Sequence, residues 1–114
     1  MQNISPKELS SILEKNPDTI ELIDVRGTGE YAEIHIPEAR NIPLPILPLR
    51  MGEIDKKKQV IFICRSGGRS GQACSLAEKD GIIAYNLIGG MNDFESEFPK
   101  KVLHGEKEKL FGLF

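Results

Sequence analysis

Short apolar runs alternate with segments of helical periodicity along most of the chain. Runs that are largely apolar, without an in-out alternation, predict strands that are buried on both faces. Strands separated by helices predict parallel pairing through right-handed crossovers. The strands predicted in this way are residues 20–25, 60–64 and 82–87, and a short strand is predicted at residues 40–42, between Pro37 and Pro43. The predicted fold class is therefore α/β, with three layers.

Helical patterns occupy the intervals between these runs. Ser5 and Glu8 have the spacing of a capping box, and Pro6 stands at the first helical position, which predicts a helix through residue 15. Further helical segments are predicted at residues 28–34, 47–52, 69–80 and 92–98. Gly81 is predicted to cap the fourth helix in the left-handed conformation. The small residues of that helix recur with helical spacing and predict a face that packs closely on a sheet: Ser70, Ala73, Cys74 and Ala77.

Composition limits the chain to an ordinary globular class. Its 114 residues are 39% hydrophobic and 28% charged, which suits one domain, placed at residues 1–99. A net charge of −2 gives no footprint for nucleic acid, and no apolar run approaches the ~20 residues of a membrane span. The tail, residues 100–114, combines lysines with apolar residues and is expected to dock on the body or to be partly disordered. We expect a monomer or a weak homodimer.

Cysteine usage indicates the compartment. Cys64 and Cys74 are the two cysteines, too few for a disulfide scaffold and without metal-ligand spacing. The first residues lack the pattern of a signal peptide. We therefore predict a cytoplasmic protein with free thiols. Cys74 is assigned to core packing, although it can also be considered as a resolving partner for Cys64 in a redox switch.

The most informative segment is the loop from Cys64 to Ser70, which leaves the carboxyl end of a buried strand and enters a helix. Its residues are Cys64, Arg65, Ser66, Gly67, Gly68, Arg69 and Ser70. Glycines there let backbone N–H groups converge into an anion-binding nest, and the helix dipole adds partial positive charge. Arg65 and Arg69 add two full charges. A cysteine in this field is predicted to be a thiolate, suited to two-step covalent transfer.

Two enzyme classes combine such a loop with such a fold: sulfurtransferases and cysteine-dependent phosphatases. The phosphatase pattern has five residues between its cysteine and arginine, whereas Arg69 follows Cys64 after four. The smaller ring suits one sulfur atom better than a phosphoryl group. A non-catalytic or redox-regulatory binding module remains a third possibility.

Blocks outside the loop are similar to a known family. They are Asp24-Val25-Arg26, Glu30-Tyr31, the segment 35–43 and Leu87-Ile88-Gly89-Gly90-Met91 with Phe94. Together with the loop they cover about residues 4–98 and resemble the single-domain rhodanese sulfurtransferases. Ile34 and Glu38 stand where that family often has glycine, and Phe94 stands where it usually has tryptophan.

The resemblance implies a five-stranded, mainly parallel sheet flanked by helices. It implies transfer of sulfane sulfur from thiosulfate or a low-molecular-weight persulfide to a thiol or cyanide acceptor, with a sulfur-relay protein as a possible partner. Cys64 would be the nucleophile and persulfide carrier, and the backbone amides of residues 65–69 its cradle. Arg65 and Arg69 would orient the anionic donor, with Arg65 favoured as the contact. Neither a metal nor an organic cofactor is implied.

Three residues near the predicted site are given supporting or structural roles. Asp24 and Arg26 can touch the site, but a structural role is favoured, in which the pair anchors loops through hydrogen bonds and an ion pair with Glu30. His35 is assigned to a structural turn, because a cysteine that is already ionised needs no general base.

Overall fold

The central layer of the computed structural model, which describes residues 1–105, is a sheet of five parallel strands. They are β1 (Gln2–Ile4), β2 (Ile20–Asp24), β4 (Arg40–Asn41), β5 (Gln59–Ile63) and β6 (Ala84–Leu87), in the spatial order β1-β6-β5-β2-β4. Two short strands, β3 (Ile34–His35) and β7 (Leu103–His104), pair antiparallel beside it. The predicted α/β class with a five-stranded parallel sheet is confirmed.

Helices cover both faces of the sheet. They are α1 (Pro6–Lys15), α2 (Thr28–Glu33), α3 (Leu47–Arg50), α4 (Gly68–Lys79) and α5 (Gly90–Glu97). One apolar cluster joins Phe62 of β5 to Ala73 and Ala77 of α4, and the other joins Ile61 of β5 to Leu9 and Phe94 of α1 and α5. Successive residues of β5 from Val60 to Ile63 therefore enter opposite cores, which is why the strand is apolar at these four positions. The three predicted layers are present.

Local signals located most elements to within two residues. The Ser5 hydroxyl accepts from the Glu8 N–H, and the Glu8 carboxylate accepts from the Ser5 N–H, so the predicted capping box closes α1. Gly81 has φ +77° after α4, as the predicted cap requires. The predicted small-residue face of α4 is buried at all four positions.

Three short strands were not predicted. β1 has three residues, of which only Ile4 is buried, and it adds to the sheet by pairing with β6. β3 takes the last residue of a segment predicted as helix, and β7 lies beyond Pro99. Each is too short to carry a hydrophobic period, so only its partner strand specifies it.

The segment after Pro99 lies against the body as far as Gly105. Val102 is buried, and the Lys101 ammonium contacts Ser10 and Glu14 of α1 and lies 5.1 Å from the centre of the Phe98 ring. The Gly105 N–H donates to the Glu33 carbonyl at 2.9 Å. The part of the predicted tail at residues 106–114 lies outside the described residues. None of the helices within residues 1–105 has the length and apolarity to cross a membrane.

Parallel pairing determines where the loops meet. Asp24 at the end of β2 is in register with Ile63 at the end of β5, and Phe62 is in register with Asn86 of β6. The segments that follow these three strands therefore emerge at one edge of the sheet, the edge where open α/β folds bind ligands.

Candidate active site

The Cys64 thiol lies at the end of β5 beneath a closed loop. The residue is 1% exposed, whereas Arg65, Ser66 and Gly68 are exposed. The Gly67 N–H donates to the Cys64 sulfur at 3.0 Å, and the Ser70 hydroxyl lies 3.3 Å from it. Burial is the largest single influence on the pKa of the Cys64 thiol and raises it. The hydrogen bonds from the Ser70 side chain and from the backbone of Ser70, Gly67 and Ser66 together outweigh burial, so the pKa is lowered.

Gly67 gives the loop its turn. It caps the N-terminus of α4 with φ +113°, a conformation in which a Cβ would be strained, and its N–H then faces the sulfur. Gly68 is the first helical residue, and a Cβ added there would meet nothing within 4 Å. The two adjacent glycines therefore have different requirements, and only Gly67 needs the left-handed region.

Asn86 of β6 hydrogen-bonds to the loop between Cys64 and Ser70, and sequence analysis did not identify it. Its side-chain nitrogen donates to the Gly67 carbonyl at 3.1 Å, and its side-chain oxygen accepts from the Ser70 hydroxyl at 2.5 Å. Asn86 is 8% exposed. A buried amide needs partners for both of its ends, and here both partners belong to the loop. The available signal was a single polar residue in the predicted strand 82–87.

Glu30 of α2 holds both arginines of the loop. Its carboxylate accepts two hydrogen bonds from Arg69, at 2.6 and 2.9 Å, one from Arg65 at 3.3 Å and one from the Gly27 N–H at 3.2 Å. The hydrogen bonds from Arg69 contribute most to lowering the pKa of Glu30 to about 2, against the opposing effect of burial. Glu30, which was expected to pair with Asp24 and Arg26, therefore brings the two predicted loop arginines together.

The prediction that Glu30 forms an ion pair with the Asp24–Arg26 pair is wrong. Arg26 is instead neutralised by Asp24 itself, with its Nη2 2.7 Å from the Asp24 Oδ2, and it also donates to the Ile34 carbonyl at 2.6 Å. The Asn41 amide donates to the backbone oxygens of Asp24 and Arg26. Asp24 ends β2 and Arg26 follows it two residues later, so the two side chains pair with each other. Glu30 is therefore left to bind Arg65 and Arg69.

The N-terminus of α5 closes the site on the side of β6. The Met91 N–H donates to the Cys64 carbonyl at 2.8 Å, and the Asn92 N–H donates to the Arg65 carbonyl at 3.1 Å. Gly90 allows this approach, because a Cβ there would lie 2.4 Å from the Cys64 oxygen. Gly90 is therefore required for the close contact between α5 and the loop.

The remaining candidates are His35 and Cys74. The His35 Nδ1 is 2.8 Å from the Tyr31 carbonyl, and its ring stacks on Tyr31 at 3.9 Å, which agrees with a structural assignment. Cys74 is fully buried in the core, and burial raises the pKa of its thiol to about 11. Both cysteines are free. Within residues 1–105 no cluster of His, Cys, Asp or Glu could hold a metal ion.

This arrangement can generate and hold a sulfur anion. A thiol with a lowered pKa accepts hydrogen bonds from N–H and O–H donors of the loop, and the same loop carries two arginines that bind Glu30. Such a thiolate can attack a polarised sulfur atom, and the same donors can stabilise the new anionic sulfur.

The sequence and the fold of this chain are similar to those of known proteins. The family profile described as Rhodanese-like domain matches residues 5–97. A putative sulfurtransferase of Bacillus subtilis is 38% identical over 101 residues, which cover 89% of this chain and 97% of the relative. A sulfurtransferase of Allochromatium vinosum is 38% identical over 92 residues, covering 80% and 85%. The crystal structure of the Staphylococcus saprophyticus protein SSP1007 superposes with a TM-score of 0.81 at 30% identity, over 91% of this chain and all of that one.

Proposed function

The chain belongs to the rhodanese-like family, and on that premise we propose that it is a sulfurtransferase that carries sulfane sulfur as a persulfide on Cys64. The observation that carries the proposal is the set of donors around the Cys64 sulfur, which lowers the pKa of a buried thiol. Relatives that are named sulfurtransferases and are alike over most of their length support the general activity.

The first half-reaction loads the sulfur. The Cys64 thiolate attacks the outer sulfur of thiosulfate, a new S–S bond forms, and the old S–S bond breaks with its electron pair leaving on sulfite. The product is a Cys64 persulfide whose terminal sulfur is anionic. Backbone N–H groups of the loop and the Ser70 hydroxyl are suited to receive that charge, since they already surround the thiolate position.

The second half-reaction transfers the terminal sulfur of the Cys64 persulfide to an acceptor. A thiophilic acceptor, either cyanide or a thiolate, attacks the terminal sulfur, and the electron pair of the S–S bond returns to Cys64. No external oxidant or reductant is needed, because the sulfane sulfur moves between two nucleophiles at constant total charge. A second protein that bears a thiolate would serve as the acceptor in a sulfur relay.

Arg65 is proposed as the donor's first contact. Its side chain is 55% exposed and forms one longer hydrogen bond to Glu30, whereas Arg69 is 38% exposed and is bound twice. An anionic donor can therefore recruit Arg65 at small cost. Asp24 and Arg26 are proposed as supporting residues that hold the chain leaving β2.

Intact-mass measurement tests the proposal. We expect treatment with thiosulfate to add the mass of one sulfur atom, and cyanide to remove it with release of thiocyanate. Cys64→Ser should abolish the gain, while the matched control Cys74→Ala should retain it, because the Cys74 thiol is buried and protonated. Sulfur loading that persists in a folded Cys64→Ser variant would refute the assignment.

A further inference from the structure

Glu30 contacts the two cations that would meet an anionic sulfur donor. Its carboxylate binds Arg69 through both terminal nitrogens and binds Arg65 through one. The Glu30 side chain is 27% exposed, and a pKa of about 2 keeps it ionised at any physiological pH. The carboxylate is therefore a permanent negative charge at the entrance to the site.

The charges at the entrance nearly cancel. Arg65 and Arg69 contribute two positive charges, and Glu30 neutralises one of them. An ionised Cys64 neutralises the other. Each negative charge that a donor carries must therefore be stabilised mainly by N–H groups of the loop, and a second negative charge would also meet the Glu30 carboxylate at close range.

The side chains of Arg65 and Arg69 also differ in how tightly Glu30 binds them. Arg69 forms a two-point ion pair with Glu30, a planar geometry that resists reorientation. Arg65 has one hydrogen bond of 3.3 Å and a more exposed side chain. Only one cation is thus readily available to a donor, which matches the needs of a donor with one negative charge.

We propose that Glu30 is a positioning residue that sets donor specificity, selecting sulfane-sulfur donors with a single negative charge over dianions. The favoured substrate class is then a monoanionic persulfide or thiosulfonate, with thiosulfate a poorer donor. This inference rests on the proposed sulfur transfer and specifies its donor. It acts through Arg65 and Arg69, since within residues 1–105 the Glu30 carboxylate hydrogen-bonds to these arginines and to the Gly27 N–H, and not to the Cys64 sulfur.

A matched pair of donors isolates the effect of charge. Methanethiosulfonate and thiosulfate present the same outer sulfur on the same sulfonyl sulfur, but a methyl group replaces one anionic oxygen. In both reactions the Cys64 thiolate forms the new S–S bond, and the electron pair of the broken bond leaves on methanesulfinate or on sulfite. The ratio of kcat/KM values for the two donors therefore reports mainly how the site tolerates the second charge.

Glu30→Gln is the decisive variant. Glutamine can keep the oxygen that accepts from the Gly27 N–H, while it removes the charge and replaces the oxygen that accepts from Arg65 and from the Arg69 Nη2 with an NH2 group. We expect kcat/KM for thiosulfate to rise about three- to tenfold through a lower KM, with a smaller change for methanethiosulfonate. Glu33→Gln is the control, because Glu33 is exposed at the end of the same helix and forms no ion pair with any other residue of the range 1–105. A higher KM for thiosulfate, or an unchanged ratio between donors, would overturn the inference.

A second readout does not depend on turnover. Sulfate and methanesulfonate are unreactive analogues of the two donors, and each should slow the alkylation of Cys64 by iodoacetamide when it occupies the loop. Glu30→Gln should improve protection by sulfate about three- to tenfold more than protection by methanesulfonate. If sulfate and methanesulfonate protect the wild type and Glu30→Gln equally, the role of Glu30 is rejected, whether or not sulfur transfer is found. If sulfur is transferred but the ratio of kcat/KM values for the two donors is the same in both proteins, the role of Glu30 is rejected and the proposed function stands.

Discussion

The Ser70 hydroxyl has one proton and two neighbours that accept it. The Asn86 nitrogen must face the Gly67 carbonyl, because two carbonyl oxygens cannot share a hydrogen bond, so the Asn86 oxygen faces Ser70. When Cys64 is a thiol, its S–H can donate to Ser70, and Ser70 donates to Asn86. When Cys64 ionises, the thiolate competes for the Ser70 proton, and a charged acceptor forms the stronger bond.

Ser70→Ala should raise the pKa of the Cys64 thiol, because the hydrogen bond from Ser70 is the largest of the influences that lower it. Since only the thiolate reacts, alkylation near neutral pH should slow, and its pH profile should move to higher pH. Peptide-resolved alkylation with iodoacetamide across pH measures this shift. The control is Ser75→Ala, which changes an exposed serine of the same helix whose hydroxyl donates to the Gly71 carbonyl at 3.4 Å. An unmoved profile in Ser70→Ala would show that the backbone N–H groups alone stabilise the thiolate.

At the scale of elements, the site is a junction of β5, α4 and α5. The loop turns through Gly67 to enter α4, and α5 donates two backbone N–H groups to the loop's first carbonyls. The N–H groups of the loop point at sulfur only while this junction holds. A backbone change within the loop should therefore alter stability and thiol chemistry together.

Gly67→Ala and Gly68→Ala make a matched comparison. Alanine at residue 67 is strained by φ +113° and should destabilise the protein by about 1–3 kcal/mol. It should also raise the pKa of the Cys64 thiol, because relief of the strain moves the Gly67 N–H away from the sulfur. Alanine at residue 68 has open space and a helical backbone, and should change stability by less than about 1 kcal/mol. Urea unfolding and the pH profile of alkylation measure the two effects; equal behaviour of the variants would contradict this account.

Across the whole molecule, one buried ion pair connects three strands next to the site. Arg26 and Asp24 are 1% and 0% exposed; Arg26 donates to Ile34 of β3, and Asn41 of β4 donates to the backbone of both. Such a pair is costly to break, because the remaining charge stays buried without a counterion. The pair therefore contributes to the stability of the fold from a position beside the functional edge.

Asp24→Asn should lower the free energy of unfolding by about 3–5 kcal/mol, because Arg26 would keep its charge in the interior. Glu53→Gln is the control, since it removes an exposed partner of Arg50 and should cost less than about 1 kcal/mol. Thermal and urea unfolding of both variants checks the difference. A small loss in Asp24→Asn would indicate that Arg26 can reach water or another acceptor.

Local sequence determined the elements and the kind of chemistry. The capping box at Ser5, the apolar run of β5 and the small-residue face of α4 each act within one turn or one strand, so the pattern predicted them without knowledge of the fold. The loop from Cys64 to Ser70 is likewise contiguous. Its glycines, arginines and thiol indicated an anion-binding nucleophile before any packing was known, and the assignment of Cys64 as the sulfur carrier remains a prediction.

Tertiary structure decided which groups surround that nucleophile. Glu30 meets Arg69 across 39 residues of sequence, and Asn86 meets Ser70 across 16, because parallel pairing brings the segments near β2, β5 and β6 to one edge. The sequence contains many carboxylates and amides, and no local pattern shows that these two contact the loop. The short strands β1, β3 and β7 also depend on distant partners. The choice of Cys64 as the candidate nucleophile therefore followed from local sequence. The charge balance and the hydrogen bonds that set the pKa of its thiol arise only when distant segments pack together.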